Sequence, residues 1–564
     1  MKIWKGSFHC CGEIRVAFPF GVWYAREKGG NAMKKMFRMV AVVLALCLVL
    51  TGCSGLNFAG YFQQLGAMLG GKFLTPYNQM EYTRPDMEQF QKTFEDCCSR
   101  AETEIVLPEL VKIIYEFYGV YDDFYTGYAL AMIGYSKDQT NTYWQEEYEF
   151  CTENSTQVDA ALDRFYRILA KSPLREQLEG DAYFGDGYFD SYDGESLYDD
   201  YFQDLLRQEQ ELENQYYDLI AQAGEDFAYT KSFYETYGRK MAELFLELIR
   251  VRNAQATHAG YDSYPEFAYE FYYNRDYTVQ QATAYLADIQ AELEPLYYEA
   301  AQKNYSLGTS DEKGTFEYVE ATAKQLGGTV WDAFKAMEKA QLYDISQSDD
   351  KLDASFTIYV RNYRSPYVFV NPNGTNLDKL TFAHEFGHFC KDYAAMGGGV
   401  GIDVAEIFSQ GMEYLSLIYY PEYNNVHKLK MFSCLGIYLE QGAYASFEQQ
   451  VYDLEELTVK TVEYLFSQTC SRFGLRGDWQ YVFVTHFFTE PMYVMSYVVS
   501  NDAALQLYQM ELENYGSGKQ CLLDNLTSTE PNFLAFLEQA GLKSPFEQGR
   551  IQEVKETLRK VLIG

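Results

Sequence analysis

Apolar residues recur at helical spacing along most of the chain from about residue 77 onward. Residues 158–171 (VDAALDRFYRILAK) and 239–256 (RKMAELFLELIRVRNAQA) each carry an apolar stripe on one face, the mark of a helix packed against a core. Only 13 prolines in 564 residues leave room for long helices. Strand-like alternation is rare. Its best instance is residues 355–370, SFTIYVRNYRSPYVFV, which reads as a hairpin or a pair of short strands. The pattern predicts a mainly α protein with one small β-sheet. Residues 181–203 are biased toward Asp, Gly and Tyr. They lack the ligand spacing of an EF-hand, so they read as a solvated connection between helices.

The N-terminal stretch follows a different pattern. Lys34, Lys35 and Arg38 precede an unbroken apolar run from Met39 to Leu50, which is too short to span a bilayer. The run ends in Leu50-Thr51-Gly52-Cys53, which resembles a bacterial lipobox, so residues 33–53 read as a lipoprotein signal peptide with Cys53 as the lipidated residue. Residues 1–32 lie upstream of this signal. Lys28-Gly29-Gly30, read as codons, fits a ribosome-binding sequence, so translation is expected to start at Met33.

Composition narrows the function. The chain has 46 basic and 81 acidic side chains, a net charge of -35. The first 53 residues hold eight of the basic and two of the acidic ones, so the remainder stands at -41. Such acidity argues against nucleic acid, whose phosphates require clustered Lys and Arg, and it favours basic peptides as partners. Beyond the signal segment seven cysteines remain, Cys97, Cys98, Cys151, Cys390, Cys434, Cys470 and Cys521. Their odd number and irregular spacing do not form a disulfide framework or a metal knuckle. Histidine is scarce, with six in the chain.

Two of those six fall in Thr381-Phe382-Ala383-His384-Glu385-Phe386-Gly387-His388. Histidines at i and i+4 share one helical face and can reach a single Zn²⁺, while Glu385 between them can take a proton from the attacking water. Thr375 or Asn376 can cap this helix after the turn at Asn371-Pro372-Asn373-Gly374. A catalytic zinc needs a third protein ligand, and positions 389–402 hold no histidine. Cys390 points to a different face and reads as core. The next helix-like stretch offers Glu406, 18 residues after His388, as third ligand. Glu413, on the same face, can orient a ligand histidine from behind.

HEFGH followed by AEIFSQGMEYL resembles the oligoendopeptidase F and thimet oligopeptidase family of zinc peptidases. Three other stretches agree: Arg252-Asn253 with Ala256 and Gly260-Tyr261, then Tyr367-Val368-Phe369-Val370-Asn371, and His486-Phe487-Phe488 with Tyr493 and Tyr497. The last departs from the family pattern by about one inserted residue, with Pro491 inside it, and the interval before Glu406 is shorter than usual. The resemblance implies an elongated helical metallopeptidase with a deep substrate channel and a small sheet beside the zinc helix. It implies one Zn²⁺ per chain on His384, His388 and Glu406, and oxyanion donors in His486 with Tyr493 or Tyr497. His258 and His427 read as structural. The expected organisation is an N-terminal helical region over 54–240 and a catalytic region over 241–564. The expected protein is a monomeric zinc endopeptidase acting on oligopeptides, held to the membrane by its lipid alone and facing the extracellular or periplasmic side. The rival is a peptide-binding lipoprotein on the same fold without catalysis. An intact Glu385 argues against it, because a binder has no use for that base.

Overall fold

In the computed structural model the described residues are 74–564 apart from 181–183, 186, 195, 225–228, 304–306 and 421–423. The expected leader over 1–32, the expected signal peptide over 33–53 and Cys53 lie outside them.

The first helices start where the sequence supplies a cap. Asp86 accepts the Gln89 amide ahead of α1 (Met87–Ala101), Pro108 sits in the first turn of α2 (Leu107–Lys137), and Asn141 accepts the Tyr143 amide ahead of α3 (Thr142–Ala170). The stripe seen over 158–171 forms the last turns of α3. Phe94, Phe117 and Phe165 meet at the centre of this trio, with the Phe117 and Phe165 rings stacked 4.4 Å apart, and they form the smaller of two apolar cores.

Residues 184–192 correct the expectation of a solvated connection. Phe184, Tyr188, Phe189 and Tyr192 gather round Tyr166 and close that core. Asp190 and Asp193 face outward, and Arg175 collects both together with Glu179. The acidic residues signalled solvent, and the aromatics between them carry the packing.

The larger core is built by α4 (Asp200–Ala223), α5 (Arg239–His258), α6 (Tyr264–Phe271), α7 (Val279–Ala301), α8 (Glu312–Leu326) and α9 (Gly328–Ala340), followed by the sheet and the helices beyond it. The sheet has the order β1-β3-β2. Strands β2 (Ser355–Val360) and β3 (Ser365–Val370) pair antiparallel, Ser355 opposite Val370 and Val360 opposite Ser365. The short β1 (Tyr343–Asp344) adds a parallel partner at Val368 and Phe369. Two residues carry no readable alternation, so this strand is absent from the sequence pattern. The central β3 is buried along its whole length, and β2 forms the edge.

From β3 the chain enters α10 (Leu377–Ala395). The carboxylate of Asp378 accepts the amides of Asn373 and Gly374 at 3.0 and 2.9 Å, and Thr375 accepts the Leu377 amide. Asn376 occupies the cap position but uses its side chain to accept from Lys379. The capping role therefore belongs to Thr375, with Asp378 tying the preceding turn.

The chain then reverses through Met396 and Gly397, both at positive φ, into α11 (Ile402–Tyr419). These two helices touch closely at Gly387: a Cβ there would lie 2.6 Å from the Phe408 carbonyl and the Ser409 Cα, so only glycine fits. Beyond α11 come α12 (Asn424–Gly436), α13 (Gly442–Val451), α14 (Val459–Arg472), the short α15 (Thr485–Thr489) and α16 (Val494–Glu513). The chain closes with α17 (Ser517–Asn525), α18 (Phe533–Ala540) and α19 (Arg550–Leu562). Helix α11 lies between α10 and α16, its two most extensive partners. The architecture is mainly α with one small sheet, as the sequence pattern predicts. No helix among the described residues is long and apolar enough to cross a membrane. The seven cysteines among the described residues are free thiols, six of them buried, Cys390 included.

Candidate metal centre

His384 and His388 project from one face of α10 toward Glu406 on the facing turn of α11. His384 Nε2 lies 3.3 Å from Glu406 Oε2, and His388 Nε2 lies 3.8 Å from Glu406 Oε1. One ligand atom from each falls within 4.8 Å of the others. Glu406 is fully buried, and its Oε2 also accepts from Ser409 at 2.9 Å. Behind the cluster, Glu413 Oε1 lies 3.0 Å from His384 Nδ1, and Lys430 holds its other oxygen at 2.8 Å. An Nδ1–H donated to Glu413 leaves the Nε2 lone pair aimed at the centre.

The electrostatics favour a cation there. Burial presses His384 toward neutrality, but Glu406 and Glu413 outweigh it and raise its pKa to about 10. Burial would raise Glu406 as well, yet His384 and His388 hold it down at about 2. Burial lowers His388 to about 4, so it stays neutral, and its Nε2 is buried without a hydrogen-bond partner. A buried carboxylate facing one proton-hungry imidazole and one orphaned imidazole nitrogen matches the donor set of a divalent zinc ion. His384, His388 and Glu406 fit that ion.

Glu385, between the two histidines, turns toward the sheet. Thr357 of β2 donates to its Oε2 at 3.0 Å and to its backbone carbonyl at 2.8 Å. Burial pushes its carboxyl up to about 7, in the range suited to exchanging protons near neutrality. Thr357 escaped the sequence reading. It lies 28 residues from Glu385, and only the pairing of an edge strand with the HExxH helix brings it there.

The third part of the site arrives from the C-terminal segment. Tyr493 donates to Glu406 Oε1 at 3.0 Å, and its ring centroid lies 5.2 Å from that of His486. Tyr497 OH and His486 Nε2 are 3.5 Å apart, and Glu490 Oε2 stands 3.6 Å from the same nitrogen. The three residues predicted on this segment, His486, Tyr493 and Tyr497, therefore gather beside Glu406. Glu490, four residues after His486, was missed, although i,i+4 spacing from a candidate histidine was the available signal. His258 pairs with Asp199 and His427 lies 2.7 Å from Tyr508 OH, away from this centre. A groove of about 800 Å³ between Phe94, Arg164, Lys171 and Tyr198 is lined by none of the site residues.

The Peptidase M3 N-terminal domain family matches residues 77–196, which include the smaller core. Among solved structures the chain is similar to one described as an oligoendopeptidase F (TM-score 0.78, 19% identity, covering 87% of this chain and 99% of that one). It is similar to PZ peptidase A crystallised with an inhibitor (0.77, 20%, 86% and 99%). It also resembles a protein of Bacillus anthracis str. Ames described as an oligoendopeptidase F (0.75, 20%, 87% and 98%). At such identities the structures establish the fold. No curated protein matches the sequence. Residues 77–196 thus match the Peptidase M3 N-terminal domain, and the chain as a whole has the fold seen in the oligoendopeptidase F structures.

Proposed function

We propose that the protein is a zinc-dependent endopeptidase that hydrolyses oligopeptides outside the cytoplasm, anchored through a lipid on Cys53. The convergence of His384, His388 and Glu406 around one point, with Glu385 beside it, carries this reading. The lipobox-like run ending at Cys53 supports the location.

Zinc, when bound by His384, His388 and Glu406, supplies a Lewis acid that acidifies water and polarises the scissile carbonyl. Glu385 takes the proton of the attacking water and returns it to the leaving amine. The Thr357 hydroxyl fixes one oxygen of Glu385, which leaves the other to carry that proton. His486, Tyr493 and Tyr497 donate to the oxyanion as the carbonyl becomes tetrahedral. Glu413 and Lys430 hold the His384 ring in its ligand orientation. The edge strand β2 offers its free backbone groups to an extended peptide beside Glu385.

The test is cleavage of a quenched peptide library by the full chain, with zinc measured on the same sample. Zinc-dependent cleavage inside the peptides supports the reading; binding of peptides without cleavage sinks it in favour of a binding protein.

A further inference from the structure

The segment carrying His486, Tyr493 and Tyr497 is irregular. Helix α15 ends after five residues, Glu490 and Pro491 follow, Met492 sits at φ 69°, and α16 begins at Val494. A non-glycine residue at positive φ persists only where its surroundings hold it. One residue of that surrounding touches both halves of the site. The Arg275 guanidinium, wholly buried, binds Asp403 through Nε at 3.2 Å and Nη2 at 3.5 Å. Asp403 lies in the first turn of α11, three residues before Glu406. From the other side, Arg275 Nη2 donates to the Met492 carbonyl at 3.0 Å and to Ser496 Oγ at 2.9 Å, flanking Tyr493.

We propose that Arg275 is a positioning residue that ties the helix bearing Glu406 to the segment bearing the oxyanion donors, and so sets where Tyr493 and Tyr497 stand over the metal centre. The proposal rests on the peptidase reading above for its kinetic consequences, but the tether itself is a structural claim. Its geometry favours arginine over lysine. The guanidinium is flanked by the Tyr269 and Tyr273 rings, 4.3 and 4.4 Å from their centroids, and its separate nitrogens bind Asp403 and the segment at once. A single ammonium cannot span those partners. Tyr277 reinforces Asp403 at 2.8 Å, and Tyr273 holds the Pro491 carbonyl at 2.8 Å.

The arrangement explains how Tyr493 can act while also bonded to Glu406. The Tyr493–Glu406 hydrogen bond and the Arg275 bridge both join α11 to the segment. When the Tyr493 hydroxyl turns from Glu406 to substrate, the Arg275 bridge keeps its backbone in register. The phenol then moves by side-chain rotation alone.

The experiment uses the zinc-loaded full chain. Arg275→Lys is expected to lower kcat about thirtyfold with KM within about threefold, because the donors act in the transition state. In a Tyr493→Phe, Tyr497→Phe background the same change is expected to lower kcat less than about twofold, since the groups it positions are gone. Ser496→Ala, which keeps the buried charge pair, is expected to lower kcat a few-fold with unchanged melting temperature. Hydrogen exchange in Arg275→Lys is expected to quicken over residues 487–497 and stay unchanged over 377–395. Equal losses of kcat in both backgrounds, or unchanged exchange over 487–497, would overturn the proposal. If the wild type cleaves no peptide, the peptidase reading falls, and the exchange experiment alone decides the tether.

Discussion

His384, His388 and Glu406 stand on two uninterrupted helices, α10 and α11, pressed together at Gly387. His486, Tyr493 and Tyr497 stand on a segment whose helix is interrupted between Thr489 and Val494. The first set is held side chain to side chain, by Glu413 and Ser409 of α11 with Lys430 of α12 behind Glu413. The second set is held by its backbone, from outside. Arg252 of α5 donates to the carbonyls of Phe487 and Phe488, Arg275 to that of Met492, and Glu448 of α13 accepts the Met492 amide at 2.8 Å. Metal ligands need a fixed geometry that regular helices provide. The groups proposed to serve the oxyanion sit where the chain is bent, and distant buried charges fix the bend.

This contrast makes graded predictions. The largest effect belongs to the helical set: His388→Ala removes a ligand, and zinc measured by elemental analysis and peptide cleavage should both fall to background. On the irregular segment, His486→Ala should lower kcat about a hundredfold or more while zinc content and KM hold, because it removes a donor felt in the transition state. A loss of zinc in that variant would break the division between the two sets. Glu413→Gln should weaken zinc affinity about tenfold to a hundredfold, read by chelator competition, with kcat at saturating zinc little changed.

The smallest effect concerns stability. Burial raises the Glu448 carboxyl to about 8 against the lowering pull of the Met492 amide, Arg252 and Arg275. The unfolded chain loses this proton from about pH 4.5, the native state only near pH 8. The group is thus favourable at low pH and costs native stability progressively across that window. Glu448→Gln keeps the acceptor and removes the ionisation. Its melting temperature relative to wild type should rise with pH from about 4.5 to 8 and then level off. A flat difference would mean that Glu448 is not a buried titrating anchor of the segment.

The same contrast separates what sequence reveals from what it hides. The HEFGH spacing declares two ligands because a helix puts i and i+4 on one face. Glu406 and Glu413 follow because a second helix with acids seven residues apart is the simplest partner. The β2–β3 pair was legible in its alternation, and the two-residue β1 was not. Residues 184–192 misled because their acidic side chains suggested solvent while their aromatic rings fill the smaller core. Thr357, Lys430, Arg275 and Glu448 act across 28, 17, 128 and 44 residues of chain. No local period encodes such meetings, which arise from helix packing alone. His486, Tyr493 and Tyr497 were found through family resemblance, since their spacing crosses a break that periodicity cannot follow.

The central claim is that Glu385 acts as the base beside a zinc ion held by His384, His388 and Glu406. Its most direct test compares wild type with Glu385→Gln, measuring bound zinc and peptide cleavage on the same preparations. The account predicts about one zinc per chain in both and a loss of about a thousandfold or more in kcat for the variant. Cleavage by Glu385→Gln at the wild-type rate, or a wild type that cleaves without binding zinc, would contradict it.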